Sequence, residues 1–188
     1  MRPLVLALCA IASSGCAGVR LWDGYLGAGG LAGTIRSDHP SIDGQGGAGM
    51  QVLLGYDFTP SVTWDTRFGG MWIDVAPPPE IVYPADSGGF AFFATGVVVR
   101  FGHEAPGSIR PFLGLHAAYQ AFQFDSYLYQ IDALGGALSG GVELPLGDRF
   151  ALRLGGTATY FTGSSTYDAR ASGSVLLFTL DALYLTRR

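Results

Sequence analysis

The chain has 188 residues, a net charge of −4 and 14% charged residues, against roughly 25% in ordinary soluble domains. This length suits one domain, and the acidic balance excludes a basic surface for nucleic acid. Mean hydropathy is positive at +0.30, yet no uninterrupted apolar run approaches the roughly 20 residues of a membrane helix. The composition therefore leaves two classes of fold, a soluble domain with a large apolar core or a membrane β-barrel.

Residues 1–17 have the features of a signal peptide that is removed on export. Arg2 supplies the positive start, residues 3–12 form an apolar segment too short to span a bilayer, and small residues follow at 13–17. We therefore expect an exported chain whose mature domain comprises residues 18–188.

Both cysteines of the chain lie within this signal region. Cys16 follows a sequence similar to a bacterial lipoprotein cleavage box, although Ser13 stands where such boxes usually carry an aliphatic residue. Cys16 is therefore a candidate for lipidation, and ordinary cleavage near Ala17 is the alternative. Because the other cysteine is Cys9, we expect no disulfide in the mature domain.

Eight segments after the signal are predicted to be strands, since clusters of Gly, Pro, Asp or Ser bound each one. They are residues 22–36, 46–58, 61–75, 90–102, 109–124, 130–144, 149–161 and 171–186. Comparatively short turns at 58–60, 103–108 and 145–148 alternate with longer loops at 37–45, 76–89 and 162–169 and an intermediate one at 125–129. This alternation predicts an up-and-down barrel with its short turns and both termini in the periplasm.

The segment 149–160 shows best which face of a strand meets which environment. Successive side chains of a strand point to opposite faces. One face of this segment carries Phe150, Leu152, Leu154, Ala158 and Tyr160, and the other carries Arg153, Thr157 and Thr159. An apolar face with an aromatic residue at each end is typical of a strand that faces lipid. The glycine-rich first strand has no clear alternation, and its faces stay unassigned.

Two barrel arrangements remain, with the apolar faces pointing either inward or outward. Inward-pointing apolar faces would make a soluble barrel, but the surface would then hold very few charges and the aromatic ends would have no role. Outward-pointing apolar faces place the charges in a narrow lumen, where they must pair because an unpaired buried charge costs several kcal/mol. The second arrangement is favoured, and it predicts a structural polar cluster of Asp65, Arg67, Arg100, Arg110, Glu143, Arg153 and Asp181.

The same arrangement predicts that aromatic side chains form a girdle at the two membrane surfaces. The expected members are Tyr56, Trp64, Trp72, Phe101, Tyr119, Phe150, Tyr160 and Tyr184.

The chain after the signal resembles the small bacterial outer-membrane β-barrel proteins of the OmpA/OmpX-like class. The resemblance rests on Arg-Pro-Phe-Leu-Gly-Leu at 110–115, on the turn Leu-Pro-Leu-Gly-Asp-Arg-Phe at 144–150 and on the alternating last strand. It implies an eight-stranded transmembrane barrel, a monomer in outer-membrane lipid that is inserted by the barrel assembly machinery. Because the chain ends with the last predicted strand, we expect no added peptidoglycan-binding domain. The chain departs from the class at its end, where Leu-Thr-Arg-Arg follows Tyr184 instead of a terminal aromatic residue.

Catalytic and metal-binding motifs are weak in this sequence, and we expect no cofactor, no metal and no enzyme activity. His39 lies in the first loop beside Ser37, Asp38 and Ser41, a set that loop composition explains as well as catalysis does. His116 falls on the predicted lumen face and is expected to be a hydrogen-bonded structural residue. A further histidine and an acid at 103–104 fit a solvated turn.

The loops are the remaining candidate for function. Residues 76–89 contain a proline-rich stretch with exposed apolar residues, and residues 125–129 carry two tyrosines, so both could contact an extracellular partner. The leading hypothesis is a structural or surface-interaction barrel with a filled lumen. The alternatives are a narrow channel for ions or small solutes, a lipid-active barrel enzyme and a soluble periplasmic ligand-binding barrel.

Overall fold

The computed structural model describes residues 23–38, 42–73, 88–102, 105, 107–124, 129–165 and 170–186. Its strands, in chain order, are β1 Gly24–Ser37, β2 Gly46–Thr59, β3 Val62–Ile73, β4 Gly88–Arg100, β5 Arg110–Phe124, β6 Tyr129–Pro145, β7 Phe150–Ser165 and β8 Arg170–Leu185. Within the described part of the chain, no helix is long and apolar enough to cross a membrane.

The eight strands form one closed barrel. Each strand pairs antiparallel with the next one along the chain, and β1 closes the sheet by pairing with β8 over Tyr25–Leu185 to Ser37–Gly173. The predicted all-β, eight-stranded antiparallel barrel is thereby confirmed. Because the number of strands is even, residues 23 and 186 lie at the same end, here named the terminus end. The opposite end is named the loop end.

Strand β7 extends four residues further toward the loop end than the sequence predicts, and β6 and β8 each extend one residue further. The sequence predicts a loop over 162–169, but β7 continues to Ser165 and β8 begins at Arg170. The segment is polar, which suggests a loop, yet its side chains keep alternating between the two faces of the sheet. The connections at the loop end are therefore not uniformly longer than those at the terminus end, where residues 101–109 join β4 to β5.

Several predicted features lie outside the described residues. They are the signal peptide 1–17 with Cys16, His39 and Ser41, the pair at 103–104, and loop residues 74–87, 125–128 and 166–169.

The register of the strands sets the tilt of the barrel. From Tyr25, the residue paired on each successive strand can be followed once around the barrel. This path returns to β1 at Ile35, an offset of ten residues. It passes through Gly55, Asp65, Gly96, His116, Ala137, Thr159 and Val175. Ten residues at about 3.3 Å, set against eight strand spacings of about 4.8 Å, give a strand tilt of about 40°. Barrels of this tilt and strand number have an interior that side chains can fill.

Large apolar side chains cover the outside of the barrel. Phe68, Leu115, Leu138, Leu154 and Phe178 are each more than half exposed. The structure also assigns the faces of β1, whose odd-numbered residues, from Tyr25 to Ile35, point inward. Glycine and alanine occupy both faces of this strand, so its sequence carried almost no alternation in polarity.

Candidate functional site

All seven residues of the predicted polar cluster lie inside the barrel, and none is more than 4% exposed. Six of the eight strands supply them: β3 gives Asp65 and Arg67, and the others come one each from β4 to β8. They occupy the half of the lumen nearer the terminus end. His116 is buried beside them, as expected.

Asp65 is the centre of one group of contacts. Its carboxylate accepts hydrogen bonds from Arg67 Nε at 2.6 Å and from the Tyr25 hydroxyl at 2.5 Å. His116 Nε2 lies 3.2 Å from the same carboxylate. Asp65 is therefore fully paired, as a buried carboxylate must be.

Arg67 connects Asp65 to side chains on the opposite side of the lumen. Its Nη1 donates to Thr157 Oγ1 at 3.1 Å, and its Nη2 donates to Ser139 Oγ at 3.2 Å. These partners lie on β7 and β6, on the opposite wall from β3. A single guanidinium group thus connects β3 to the opposite wall of the barrel.

Glu143 is the centre of a second group, near the terminus end. Its Oε2 lies 2.9 Å from Arg153 Nη2 and 3.3 Å from Arg100 Nε, and its Oε1 lies 3.8 Å from Arg110 Nη1. Arg100 also reaches Asp57 at 3.0 Å. Three arginines therefore share one fully buried glutamate.

Tyr25 joins the two groups and was not among the predicted residues. Its hydroxyl donates to Asp65 and accepts from Arg153 Nη1 at 3.0 Å. The guanidinium groups of Arg153 and Arg100 lie 4.6 Å and 5.2 Å from the centre of its ring, within range of cation–π attraction. Because the glycine-rich sequence of β1 does not assign its faces, nothing in it placed this side chain in the lumen.

Gly55 makes room for the ring of Tyr25. A Cβ atom at Gly55 would lie 2.2 Å from Tyr25 Cε1. We expect Gly55→Ala to lower the free energy of unfolding by about 1–3 kcal/mol, because the ring is held by its partners and cannot withdraw. Urea unfolding in lipid vesicles measures this loss. Gly30→Ala is the matched control, since nothing lies within 4 Å of that position. Equal stability of the two variants would contradict the prediction.

Asp181 differs from the expected pairing. Its Oδ1 accepts a hydrogen bond from Gln51 Nε2 at 2.7 Å, and within the described residues no arginine nitrogen lies within 4 Å of it. Arg153 is the cross-strand neighbour of both Asp181 and Glu143. Its guanidinium group turns to Glu143 and Tyr25, and this leaves an amide as the partner of Asp181.

The half of the lumen nearer the loop end is mainly apolar, although Gln45 and Gln120 are also buried there, whereas the sequence predicts a lumen filled by paired polar side chains. Four phenylalanines form its centre, namely Phe90, Phe92, Phe122 and Phe161. The ring centroids are 5.8 Å apart for Phe90 and Phe92, 5.1 Å for Phe90 and Phe122, and 5.4 Å for Phe122 and Phe161. Ile42, from the connection after β1, is fully buried in the same cluster. The charged cluster therefore occupies only the half nearer the terminus end. No phenylalanine was among the predicted lumen residues.

The eight aromatic residues of the predicted girdle all point outward. Tyr56, Trp64, Phe101, Phe150 and Tyr184 lie toward the terminus end, and Trp72, Tyr119 and Tyr160 lie toward the loop end. From Phe150 to Tyr160, ten residues of tilted strand cover a height of about 25 Å. This is the spacing that a girdle at two membrane surfaces requires.

The seam between β1 and β8 is fastened at the loop end by Asp38. Its carboxylate accepts hydrogen bonds from the Ser172 amide and the Ser172 hydroxyl, each at 2.7 Å, and Ser37 Oγ donates to the Ser172 carbonyl. The bonds from the backbone and the side chain of Ser172 hold the pKa of Asp38 below its ordinary value of 3.8.

The hydrogen bonds between Asp38 and Ser172 predict that the local stability of the β1–β8 seam depends on pH. Since the pKa of Asp38 is lowered by folding, its contribution is fully present above pH 3.8 and is lost as the pH falls through the lowered value. We expect the hydrogen-exchange protection of the Ser172 amide to fall in that acidic range. In Asp38→Asn, protection should be weaker and should no longer change there. The same acid-induced loss in both proteins would contradict the assignment.

Within the described ranges, no three His, Cys, Asp or Glu residues come together as metal ligands do. His116 is enclosed by Asp65 and the lumen wall and is 3% exposed.

Comparison with solved structures shows the class of fold. Neisserial surface protein A matches with a TM-score of 0.67 at 11% identity, over 86% of this chain and 96% of that one. The outer membrane protein OprG from Pseudomonas aeruginosa matches at 0.55 and 12% identity, over 88% and 98%. The outer membrane protein AlkL matches at 0.57 and 11% identity, over 89% and 92%. No family model and no curated protein matches the chain. The chain therefore has the fold of the small eight-stranded outer-membrane barrels.

Proposed function

We propose that the protein is an integral outer-membrane barrel with a structural or surface-interaction role and a closed lumen. One observation carries the proposal. Large apolar side chains cover the outer surface of the barrel wall, and the charged side chains of the polar cluster are buried in its lumen. Monomeric soluble proteins rarely expose apolar patches larger than roughly 300–600 Å². A continuous apolar band around eight strands suits lipid, and a closed sheet leaves no unpaired backbone edge in it.

The solved structures with this fold support the same location. OprG and AlkL are described as outer membrane proteins, and AlkL was studied in DMPC lipid bilayers. In the proposed arrangement the terminus end faces the periplasm, so that both termini lie there, and outer-membrane lipid contacts the apolar band. The barrel is a monomer placed by the barrel assembly machinery, and residues 76–89 and 125–129 are the candidates for contact with an extracellular partner.

The filling of the lumen argues against a channel. Arg67 crosses the polar half, and packed phenylalanines occupy the other half. A dry apolar segment is a barrier to ions, because an ion that enters it loses its hydration. We expect planar-bilayer recordings to show no discrete conductance.

The proposal is tested by membrane fractionation together with gel mobility of unheated and boiled samples. Recovery in the outer membrane with a heat-dependent shift in mobility is the expected result, because a closed barrel resists detergent until it is heated. Recovery as a soluble periplasmic protein without a shift would overturn the proposal. Discrete conductance would instead overturn the closed lumen alone.

A further inference from the structure

The strands β5–β8 reverse their inside–outside polarity part of the way along. Within the apolar band, Leu138 and Leu154 point outward, and Ser139 and Arg153 point inward. Beyond Tyr160 the order is inverted, because Phe161 is fully buried and Thr162 is exposed. The loop-end parts of these strands therefore have the alternation of a water-soluble sheet, with polar residues outside and apolar residues inside. The rest of the same strands has the opposite alternation, which suits lipid.

The reversal occurs side by side on neighbouring strands and forms one continuous surface. We name it the polar wall. Its residues are Gln123, Gln130, Asp132, Thr162, Ser164, Arg170 and Ser174. The register places Gln123 opposite Gln130, Asp132 opposite Ser164, and Ser164 opposite Arg170. Behind the wall, the buried side chains of Phe122, Ile131, Phe161 and Ala171 hold the sheet rigid.

The height of the polar wall places it next to lipid headgroups. From Tyr160 to Ser164 the strand advances four residues, which at this tilt is a rise of about 10 Å. The headgroup layer outside the hydrocarbon core is about 5–8 Å thick on each side of a bilayer. If Tyr160 lies at the edge of the hydrocarbon, the polar wall therefore spans the headgroup layer.

The chemistry of the polar wall suits uncharged polar groups. It contains one acid and one base, and Asp132 already accepts hydrogen bonds from Tyr119 and Gln130. A second base, Arg36 of β1, lies at its edge opposite Ser174, four residues along β8 from Arg170. Recognition of phosphate would call for clustered cations. Amide and hydroxyl side chains both donate and accept hydrogen bonds, as sugar hydroxyls do. Within the described part of the chain, the side chains of Gln123, Thr162, Ser164 and Ser174 have no hydrogen-bond partner.

We propose that the polar wall packs against the sugar headgroups of glycolipid in the outer leaflet. The inference rests on the proposed function, since it requires the apolar band to lie in a bilayer. In this proposal, glycolipid contacts the barrel along the outer surface of β5–β8. The outward positions at the loop-end rim of β2–β4, Ala48, Trp72 and Ala91, are apolar and offer no such surface.

The experiment compares unfolding temperatures in two kinds of vesicle, phosphatidylcholine alone and phosphatidylcholine with lipopolysaccharide. The wall variant combines Gln123→Ala, Thr162→Ala, Ser164→Ala and Ser174→Ala. The matched control combines Thr66→Ala and Thr95→Ala, two outward hydroxyls that bond to each other at 2.9 Å in the middle of the apolar band. We expect lipopolysaccharide to raise the midpoint of wild type and control by about 5 °C and that of the wall variant by less than half as much.

Each other outcome has a distinct meaning. An equal rise for wild type and wall variant, or no rise for wild type, would overturn the glycolipid contact and leave the membrane barrel standing. An equal rise with lipid-free core oligosaccharide in detergent would show binding of soluble sugar and would overturn the assignment to a lipid headgroup. Failure of the wild type to enter phosphatidylcholine vesicles would overturn the membrane proposal itself.

Discussion

Glu143→Ala is expected to lower the free energy of unfolding by about 3–5 kcal/mol, one of the two largest single losses in this barrel. Arg153 and Arg100 lie 2.9 Å and 3.3 Å from the Glu143 carboxylate, and all three residues are at most 1% exposed. Without the carboxylate, the guanidinium groups stay buried and repel one another. Urea titration in phosphatidylcholine vesicles, followed by tryptophan fluorescence, measures the change.

Two further variants keep this result interpretable. Asp148→Ala removes the same charge from an exposed turn and should change stability by less than about 0.5 kcal/mol. Glu143→Gln keeps the shape of the side chain and should give an intermediate loss, which remains measurable if the alanine variant does not fold. A loss for Glu143→Ala no larger than that for Asp148→Ala would refute the shared role of Glu143.

Phe122→Ala is expected to cost about 3–5 kcal/mol, as in the core of a soluble protein. The ring is fully buried and packs against Phe90 and Phe161 at centroid distances of 5.1 Å and 5.4 Å. Its removal leaves a cavity that a hydrogen-bonded barrel wall cannot collapse to fill. The same urea titration in vesicles reports the loss.

Gln123→Ala is the control for the apolar half of the lumen. Gln123 is the next residue on β5 and points outward, so its truncation should stay within about 0.5 kcal/mol of wild type. Phe122→Leu should fall between the two variants. If Phe122→Ala proved as stable as Gln123→Ala, the backbone hydrogen bonds alone would hold this end of the barrel, and the phenylalanine cluster would contribute nothing.

Much of the fold follows from the alternation of side chains along single strands. The segment from Phe150 to Tyr160 assigns its own two faces, because both lipid and a polar lumen select residues at a period of two. The same alternation placed Asp65, Glu143 and Arg153 inside, where the structure has them. The sequence thus indicates that a charged residue is buried when it alternates with apolar residues that face outward.

The features that the sequence did not reveal have three physical causes. In β1, glycine carries no side chain for either environment to select, so the inward position of Tyr25 was hidden. At the ends of β7 and β8, polar residues face outward because the wall there extends beyond the apolar band, and this composition resembles that of a loop. Pairing also depends on three-dimensional geometry, as Asp181 shows by bonding to Gln51.

The contacts of the buried arginines also constrain the order of folding. Arg67 meets Thr157, 90 residues away, and Arg153 meets Tyr25, 128 residues away. Contacts between such distant residues form late, after the chain has closed large loops. A sheet that entered lipid strand by strand would therefore expose these arginines to hydrocarbon before their partners arrived, at a cost of several kcal/mol each. The polar interior consequently favours a folding order in which the barrel is almost closed before it inserts into the bilayer.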